Sequence, residues 1–165
     1  MRLILFCLVL SISLVSCYRK LPPLRTGMEG KPIPAFNLLL RDSSTVVNMG
    51  ALPKGKPVVL VFISPNCPFC RAEVDGIVKN MATLKDIQFY VFTNWPLQMM
   101  KAFSDHYQLN KYPNVTVGYD YTDFFQTHFR VGGVPYTAIY TKENTLTKAF
   151  AGKLDSRQIK DEAQD

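Results

Sequence analysis

Residues 58–70 read VVLVFISPNCPFC and place a strand signal directly before two cysteines. The apolar run that starts at Val58 shows no alternation, which is typical of a central strand buried on both faces. Pro68 suits the first turn of a helix, so we expect a helix to begin there. Cys67 and Cys70 are then about one turn apart and can form a small reversible disulfide. This spacing predicts dithiol–disulfide exchange, although the same Cys-x-x-Cys pair also supplies two of the four ligands in many zinc sites.

The segments around this stretch predict a mixed α/β fold. Periodicity and turn residues indicate further elements, which are a hairpin at 36–49, strands at 87–93 and 115–118, helices at 98–107 and 123–129, a second hairpin at 136–151 and a last helix. Asp155 could cap that last helix, with Gln158 as its capping partner. This order of elements predicts a mixed sheet with helices on both faces.

Composition predicts one globular domain with an appendage. The chain has 165 residues, of which 47% are hydrophobic. We read residues 32–165 as the domain and residues 17–31, which are rich in proline and glycine, as an extended, partly disordered tether. The formal net charge is +6, but no basic run is longer than Arg19-Lys20, so we expect no nucleic-acid binding. His106 and His128 are isolated, and we predict no metal and no cofactor.

The N-terminus has the pattern of a secretory signal. Arg2 supplies a positive start, and residues 3–15 are mostly apolar. At about 1.5 Å per helical residue this stretch reaches roughly 20 Å, short of a ~30 Å hydrocarbon core. It ends in LVSC, which resembles a bacterial lipobox, so we predict a lipoprotein signal peptide at 1–16 and a lipid on Cys17. An ordinary cleavage site or an uncleaved anchor is the alternative.

The cysteines then divide into two groups. Cys7 would leave with the signal and Cys17 would carry lipid, so the mature chain keeps only Cys67 and Cys70 as thiols. Secretion would place this pair outside the cytosol, where disulfides persist. A helix N-terminus favours an anion, so we expect Cys67 to be the attacking thiolate and Cys70 the resolving thiol. Arg71 adds positive charge nearby or is merely a solvated helix residue.

Residues 131–135 read VGGVP and form the second informative stretch. Two glycines before the bond between Val134 and Pro135 allow a close approach of the backbone, which could accommodate a cis peptide. Most bonds before proline are nevertheless trans. The spacing alone therefore leaves the isomer open.

Three stretches together resemble the TlpA/ResA branch of the thioredoxin-like proteins. They are KGKPVVLVF at 54–62, CPFCRAE at 67–73 and FRVGGVPYT at 129–137. The resemblance covers about residues 28–160, with the motifs in the right order. It implies a thioredoxin-like mixed sheet flanked by helices, with an added N-terminal β-hairpin, and thiol–disulfide oxidoreductase activity.

The resemblance also assigns roles to residues near the dithiol. It implies that Pro135 is cis and packs opposite the disulfide, and that the backbone of Val134 pairs with substrate. Pro68 and Phe69, between the cysteines, are expected to contact substrate as well. Members are extracytoplasmic and membrane-tethered, and they commonly reduce disulfides in cytochrome c maturation or in other envelope proteins.

These implications extend to partners and location. We expect protein disulfides as substrates, an electron donor in the membrane or envelope, and a monomer held by a lipid anchor. The expected location is the bacterial cell envelope, on the periplasmic side. The resemblance alone favours reduction over oxidation.

The chain departs from the family pattern at three positions. Asn66 replaces the tryptophan that usually precedes the first cysteine, and Asp75 replaces a helix-kinking proline. Val61 stands where thioredoxin has a buried aspartate. The group that accepts the proton of Cys70 is therefore unidentified: Glu73 is a candidate by proximity, but we expect it to be solvated on the helix surface.

Three other functions fit parts of the pattern. A thiol peroxidase is the nearest enzyme, but Ser64 and Leu60 stand where its threonine and proline are expected. A copper or zinc chaperone would use the two thiols and one histidine, although such copper proteins usually space the cysteines one residue wider. A scaffold lipoprotein with an inert disulfide is the third alternative.

Overall fold

A seven-stranded mixed sheet forms the centre of the protein in the computed structural model, which describes residues 20–164. Its strands are β1 (Asn37–Leu40), β2 (Val46–Asn48), β3 (Val58–Phe62), β4 (Gln88–Thr93), β5 (Val115–Tyr119), β6 (Tyr136–Tyr140) and β7 (Leu146–Ala151), in the spatial order β2-β1-β5-β4-β3-β6-β7. β3, β4 and β5 are parallel, whereas β1, β6 and β7 run antiparallel to their neighbours. The predicted mixed sheet and its N-terminal hairpin are confirmed.

Helices cover both faces of this sheet, as the order of elements predicts. They are α1 (Pro68–Lys79), α2 (Met81–Leu84), α3 (Leu97–His106), α4 (Phe124–Phe129) and α5 (Ser156–Gln164). Val59 and Val61 of β3 pack on the face that carries α1, α3 and α5. Leu60 and Phe62 pack on the opposite face, against α4. β3 is fully buried because both of its faces are covered.

Aromatic rings fill the core beneath α4. Phe125 is fully buried, and its ring meets that of Phe92 edge-on at a centroid distance of 4.9 Å. Phe62 and Tyr136 also contact Phe125. Such edge-to-face pairs contribute about 0.5–1.5 kcal/mol each beyond burial, so they help to hold the start of β6. The proline stretch 131–135 leads directly into that strand.

The N-terminal segment lies along the edge of the sheet. The backbone N–H of Leu24 donates to the carbonyl of Ala149 in β7 at 2.7 Å. The Gln158 side chain accepts from the N–H of Leu21 at 2.8 Å and donates to its carbonyl at 2.7 Å. This segment is therefore held on the domain, and it is not extended throughout, because the N–H of Lys31 donates to the carbonyl of Met28 at 2.9 Å and closes a turn.

This placement also corrects the predicted capping box of α5. Asp155 accepts a hydrogen bond from the N–H of Arg157 at 2.9 Å, as a capping residue does. Gln158 does not complete the box, because its amide is engaged with Leu21 on the neighbouring segment.

Within residues 20–164, no helix has both the length and the hydropathy that a membrane span requires.

Candidate active site

Cys67 lies at the N-terminus of α1, where the chain leaves the carboxyl end of β3. It is the N-cap residue, with an extended backbone (φ −78°, ψ 122°), and Pro68 follows in the first helical turn. The first turn contains no acidic residue, so its amide dipoles act on the thiol without a competing carboxylate. Cys67 is partly exposed and Cys70 is fully buried. Of the two thiols, Cys67 is therefore the one that another molecule can reach.

The environment of Cys70 keeps its thiol protonated. Burial raises the pKa of Cys70, and the neighbouring Cys67 and the negative charge of Glu73 raise it further. A hydrogen bond from the backbone of Ser64 opposes this effect only in part. Both cysteines are free thiols in this structure. Cys70 therefore needs a nearby base before it can act as a nucleophile.

Glu73 is that neighbour, and it is completely buried. Its Oε1 accepts a hydrogen bond from Thr137 Oγ1 at 2.6 Å, and its Oε2 accepts from the N–H of Leu154 at 2.7 Å. Burial raises its pKa from 4.5 to about 7, while these two hydrogen bonds and the charge of Lys153 act in the opposite direction. A carboxyl group with this pKa can take up or release a proton at neutral pH.

The expectation that Glu73 is solvated is wrong. Cys70, Glu73, Val74 and Ile77 form one face of α1, and all four are buried. This helical phase was visible in the sequence, because Glu73 follows Cys70 by three positions and precedes Ile77 by four. Thr137 and Leu154 carried no comparable signal, since both reach Glu73 from distant parts of the chain.

Glu73 provides a buried carboxyl group near position 61, where thioredoxin has an aspartate and this chain has Val61. Thr137, which binds Glu73, is the direct cross-strand partner of Val61 in the pair β3–β6. The carboxylate therefore lies over the same part of the sheet face as Val61. In this protein the buried acid comes from α1 and not from the central strand.

The proline stretch forms the opposite wall of the site. The peptide bond between Val134 and Pro135 is cis, as the resemblance implies. Cys67 Sγ lies 3.5 Å from the carbonyl oxygen of Val134, so the outer thiol faces the backbone before the proline. Pro135 is buried and Val134 is partly buried. The backbone N–H groups of residues 132–134 donate no hydrogen bond to the described part of the chain.

The remaining predicted site residues are either exposed beside the dithiol or lie outside the described part of the chain. Pro68 is exposed, and the Phe69 side chain is 63% exposed beside the dithiol. Trp95, which follows β4 by two residues, is 42% exposed. Cys17 and the predicted signal peptide lie outside the described residues. Across residues 20–164 no three His, Cys, Asp or Glu side chains are grouped as metal ligands, so neither histidine joins the two thiols in such a set.

The fold and the paired thiols define a class of protein, the thioredoxin-like thiol–disulfide oxidoreductases. A partly exposed thiol at a helix start and a buried thiol one turn on are suited to dithiol–disulfide exchange, and a cis-proline follows the residue that faces the outer thiol. The Redoxin family matches residues 28–164, and the chain belongs to this family.

Similar proteins and solved structures belong to the same class of disulfide oxidoreductases. The chain is 29% identical over 142 residues to a thiol:disulfide interchange protein DsbE of Tatumella citrea, covering 86% of this chain and 75% of that protein. A secreted disulfide oxidoreductase of Mycobacterium tuberculosis, described as homologous to E. coli DsbE, is 26% identical, with a TM-score of 0.61 over 75% of this chain and 89% of the other. M. tuberculosis DsbF shares the fold, with a TM-score of 0.63, 22% identity, and coverage of 79% and 96%.

Proposed function

We propose that this protein reduces disulfides of other proteins on the periplasmic side of the bacterial cell envelope, with Cys67 as the attacking residue. The observation that carries the proposal is the unequal pair of thiols. Cys67 is accessible at a helix N-terminus, whereas Cys70 is buried beside Glu73. One thiol is thereby suited to meet a substrate and the other to release it.

In the first step, the Cys67 thiolate attacks one sulfur of a substrate disulfide. The substrate S–S bond breaks, a mixed disulfide forms between Cys67 and substrate, and the second substrate sulfur leaves as a thiolate. The amide dipoles at the start of α1 stabilise the attacking anion. The unpaired backbone before Pro135 can align the substrate by strand-like hydrogen bonds, and exposed Phe69 offers an apolar contact.

In the second step, Cys70 resolves the mixed disulfide. Its thiol must first lose a proton, and the carboxylate of Glu73, three residues further along the helix, is placed to accept it. The Cys70 thiolate then attacks Cys67 Sγ, which releases the reduced substrate and leaves a disulfide between the two cysteines. Two electrons from a membrane or envelope donor return the pair to the dithiol.

We further propose that the protein is anchored by a lipid on Cys17 and works close to the membrane. Leu21 is held by Gln158 and Leu24 by β7, so the connection from Cys17 to the described chain would span only residues 17–19. An extended chain advances about 3.3 Å per residue, which limits this connection to about 10 Å. An anchored domain of this kind would meet substrates at the membrane surface. The Cys17→Ala variant should then move from the membrane to the soluble envelope fraction, and its retention in the membrane would contradict the anchor.

Trapping in cells tests the reductase proposal. The Cys70→Ser variant cannot resolve the first intermediate, so it should accumulate mixed disulfides with envelope proteins through Cys67. The Cys67→Ser variant is the matched control and should accumulate none. Equal adducts in both variants, or no disulfide exchange by the purified protein, would overturn the proposal. For a reductase, the wild-type pair should also be mainly dithiol in cells, and a mainly oxidised pair would reverse the proposed direction.

A further inference from the structure

A cavity of about 300 Å³ opens beside the outer cysteine, between α1 and α3. Its apolar lining includes Met99 and Phe103 of α3 and Tyr107, the residue that follows this helix. Asn66, Arg71 and His106 supply polar side chains. Asn66 directly precedes Cys67, and Arg71 lies one helical turn after it. The cavity is therefore next to the point where a substrate disulfide must approach.

Arg71 brings a positive charge to this cavity. Its Nε donates to the carbonyl of Pro65 at 3.0 Å, which fixes the guanidinium at the cavity wall. No carboxylate of the described residues lies within ion-pair distance of it: Asp75 pairs with Lys79 at 2.6 Å, and Asp105 pairs with Arg41 at 2.5 Å. The Nη groups of Arg71 thus remain available to an acceptor from another molecule.

Tyr107 adds a second donor to the same wall. Burial raises the pKa of Tyr107 and the charge of Asp75 raises it further, while the charge of nearby Arg71 acts in the opposite direction. The hydroxyl therefore stays protonated at neutral pH and lies near the guanidinium. The ring of His106 packs edge-on against Tyr107, with centroids 4.7 Å apart. An apolar lining with two adjacent donors suits a side chain that has a methylene stem and a carboxylate end.

We infer that this cavity is a subsite for an acidic side chain of the substrate polypeptide, with Arg71 as the residue that determines the preference. The inference rests on the proposed function, because it concerns which disulfides Cys67 attacks fastest. A helix is about 10 Å across, and an extended chain advances about 3.3 Å per residue. The acidic residue is therefore expected about three positions from the attacked cysteine.

Matched peptides test this subsite. Each peptide carries one cysteine joined to thionitrobenzoate, and Glu, Gln or Lys stands three positions before or after that cysteine. The rate of thionitrobenzoate release by the dithiol protein should be about fivefold higher for the better-placed Glu peptide than for its Gln counterpart, and lowest for Lys. Arg71→Gln should bring the Glu-to-Gln ratio close to one. Lys54→Gln removes the same charge at the opposite end of β3 and should keep the wild-type ratio.

Equal rates for the three peptides with the wild-type protein would overturn the subsite, as would a Glu preference that survives in Arg71→Gln. Salt provides a second measurement that needs no variant, because an ionic strength of about 1 M should abolish most of the Glu preference. A preference insensitive to salt would also contradict the inference. Absence of release from every peptide would instead overturn the proposed reductase function, and the subsite with it.

Discussion

Thr137 and Glu73 are 64 residues apart in the chain, yet a 2.6 Å hydrogen bond from Thr137 Oγ1 to Glu73 Oε1 joins β6 to α1 inside the core. The same carboxyl group binds the N–H of Leu154, so both of its oxygens are engaged. A buried carboxylate without such partners would be strongly destabilising. These contacts hold an ionisable group within one helical turn of the buried Cys70, where burial raises its pKa to about 7.

We predict that Glu73→Gln slows the release of substrate from the mixed disulfide. The amide can still bond Thr137 and Leu154, but it cannot accept the proton of Cys70. The resolving step should slow roughly 100-fold, at the low end of the range for general acid–base catalysis, and the inflection of its pH profile near 7 should disappear. Stopped-flow measurement of the second step across pH 5–9 checks this, with Glu143→Gln as an exposed control. An unchanged inflection would mean that Glu73 is not the acceptor.

The same residue should make stability depend on pH. The folded pKa of about 7 lies above the ordinary value of 4.5, so the native state binds more protons than the unfolded state between these values. The free energy of unfolding should therefore fall as pH rises from 4.5 to 7, by up to about 3 kcal/mol. Urea unfolding of wild type and Glu73→Gln at each pH isolates this contribution. A constant difference between the two proteins would contradict it.

The two active-site thiols should differ in reactivity toward an alkylating reagent. Because burial raises the pKa of Cys70, only a small fraction of it is thiolate at neutral pH, and its sulfur is also inaccessible. Iodoacetamide should therefore modify Cys67 at least about tenfold faster than Cys70. Peptide mapping of the reduced protein measures both rates, and the urea-unfolded protein serves as the control in which the rates converge. Equal rates in the folded protein would refute the assignment.

Two glycines should respond oppositely to alanine. A Cβ at Gly118 in β5 would lie 2.9 Å from the Cβ of Leu38 in β1, so Gly118→Ala should cost about 1–3 kcal/mol of stability through overpacking. Gly76 in α1 has open space around it, and Gly76→Ala should stabilise the protein by about 0.5–1 kcal/mol. Urea unfolding tests both. Destabilisation by the second substitution would show that the helix surface there is not free.

The N-terminal segment should loosen when its side-chain clamp is removed. Gln158→Ala deletes both hydrogen bonds to the backbone of Leu21. Each is worth about 1 kcal/mol, so amide hydrogen exchange in residues 20–31 should accelerate about tenfold or more. Exchange followed by mass spectrometry measures this, with substitution of the exposed Gln98 on α3 (Gln98→Ala) as the control. Unchanged exchange would mean that the pairing with β7 suffices to hold the segment.

The local features of this protein could be predicted from short stretches of sequence. The buried strand at Val58, the helix start at Pro68 and the spacing of Cys67 and Cys70 depend on residues a few positions apart. Periodicity and turn chemistry act over the same range, so the observed elements match the expected ones to within a few residues. The class of chemistry followed from these features and from the resemblance of three motifs.

Contacts between distant segments decided the rest. The burial of Glu73 required Thr137 and Leu154, which lie 64 and 81 residues further along the chain. The segment that we read as a loose tether was fixed by Gln158, 137 residues from Leu21. The sequence by itself determined where the two thiols lie on their strand and helix. Only the tertiary structure decided which charged groups share their environment, because burial and hydrogen bonding depend on what packs over a residue and not on its neighbours in the chain.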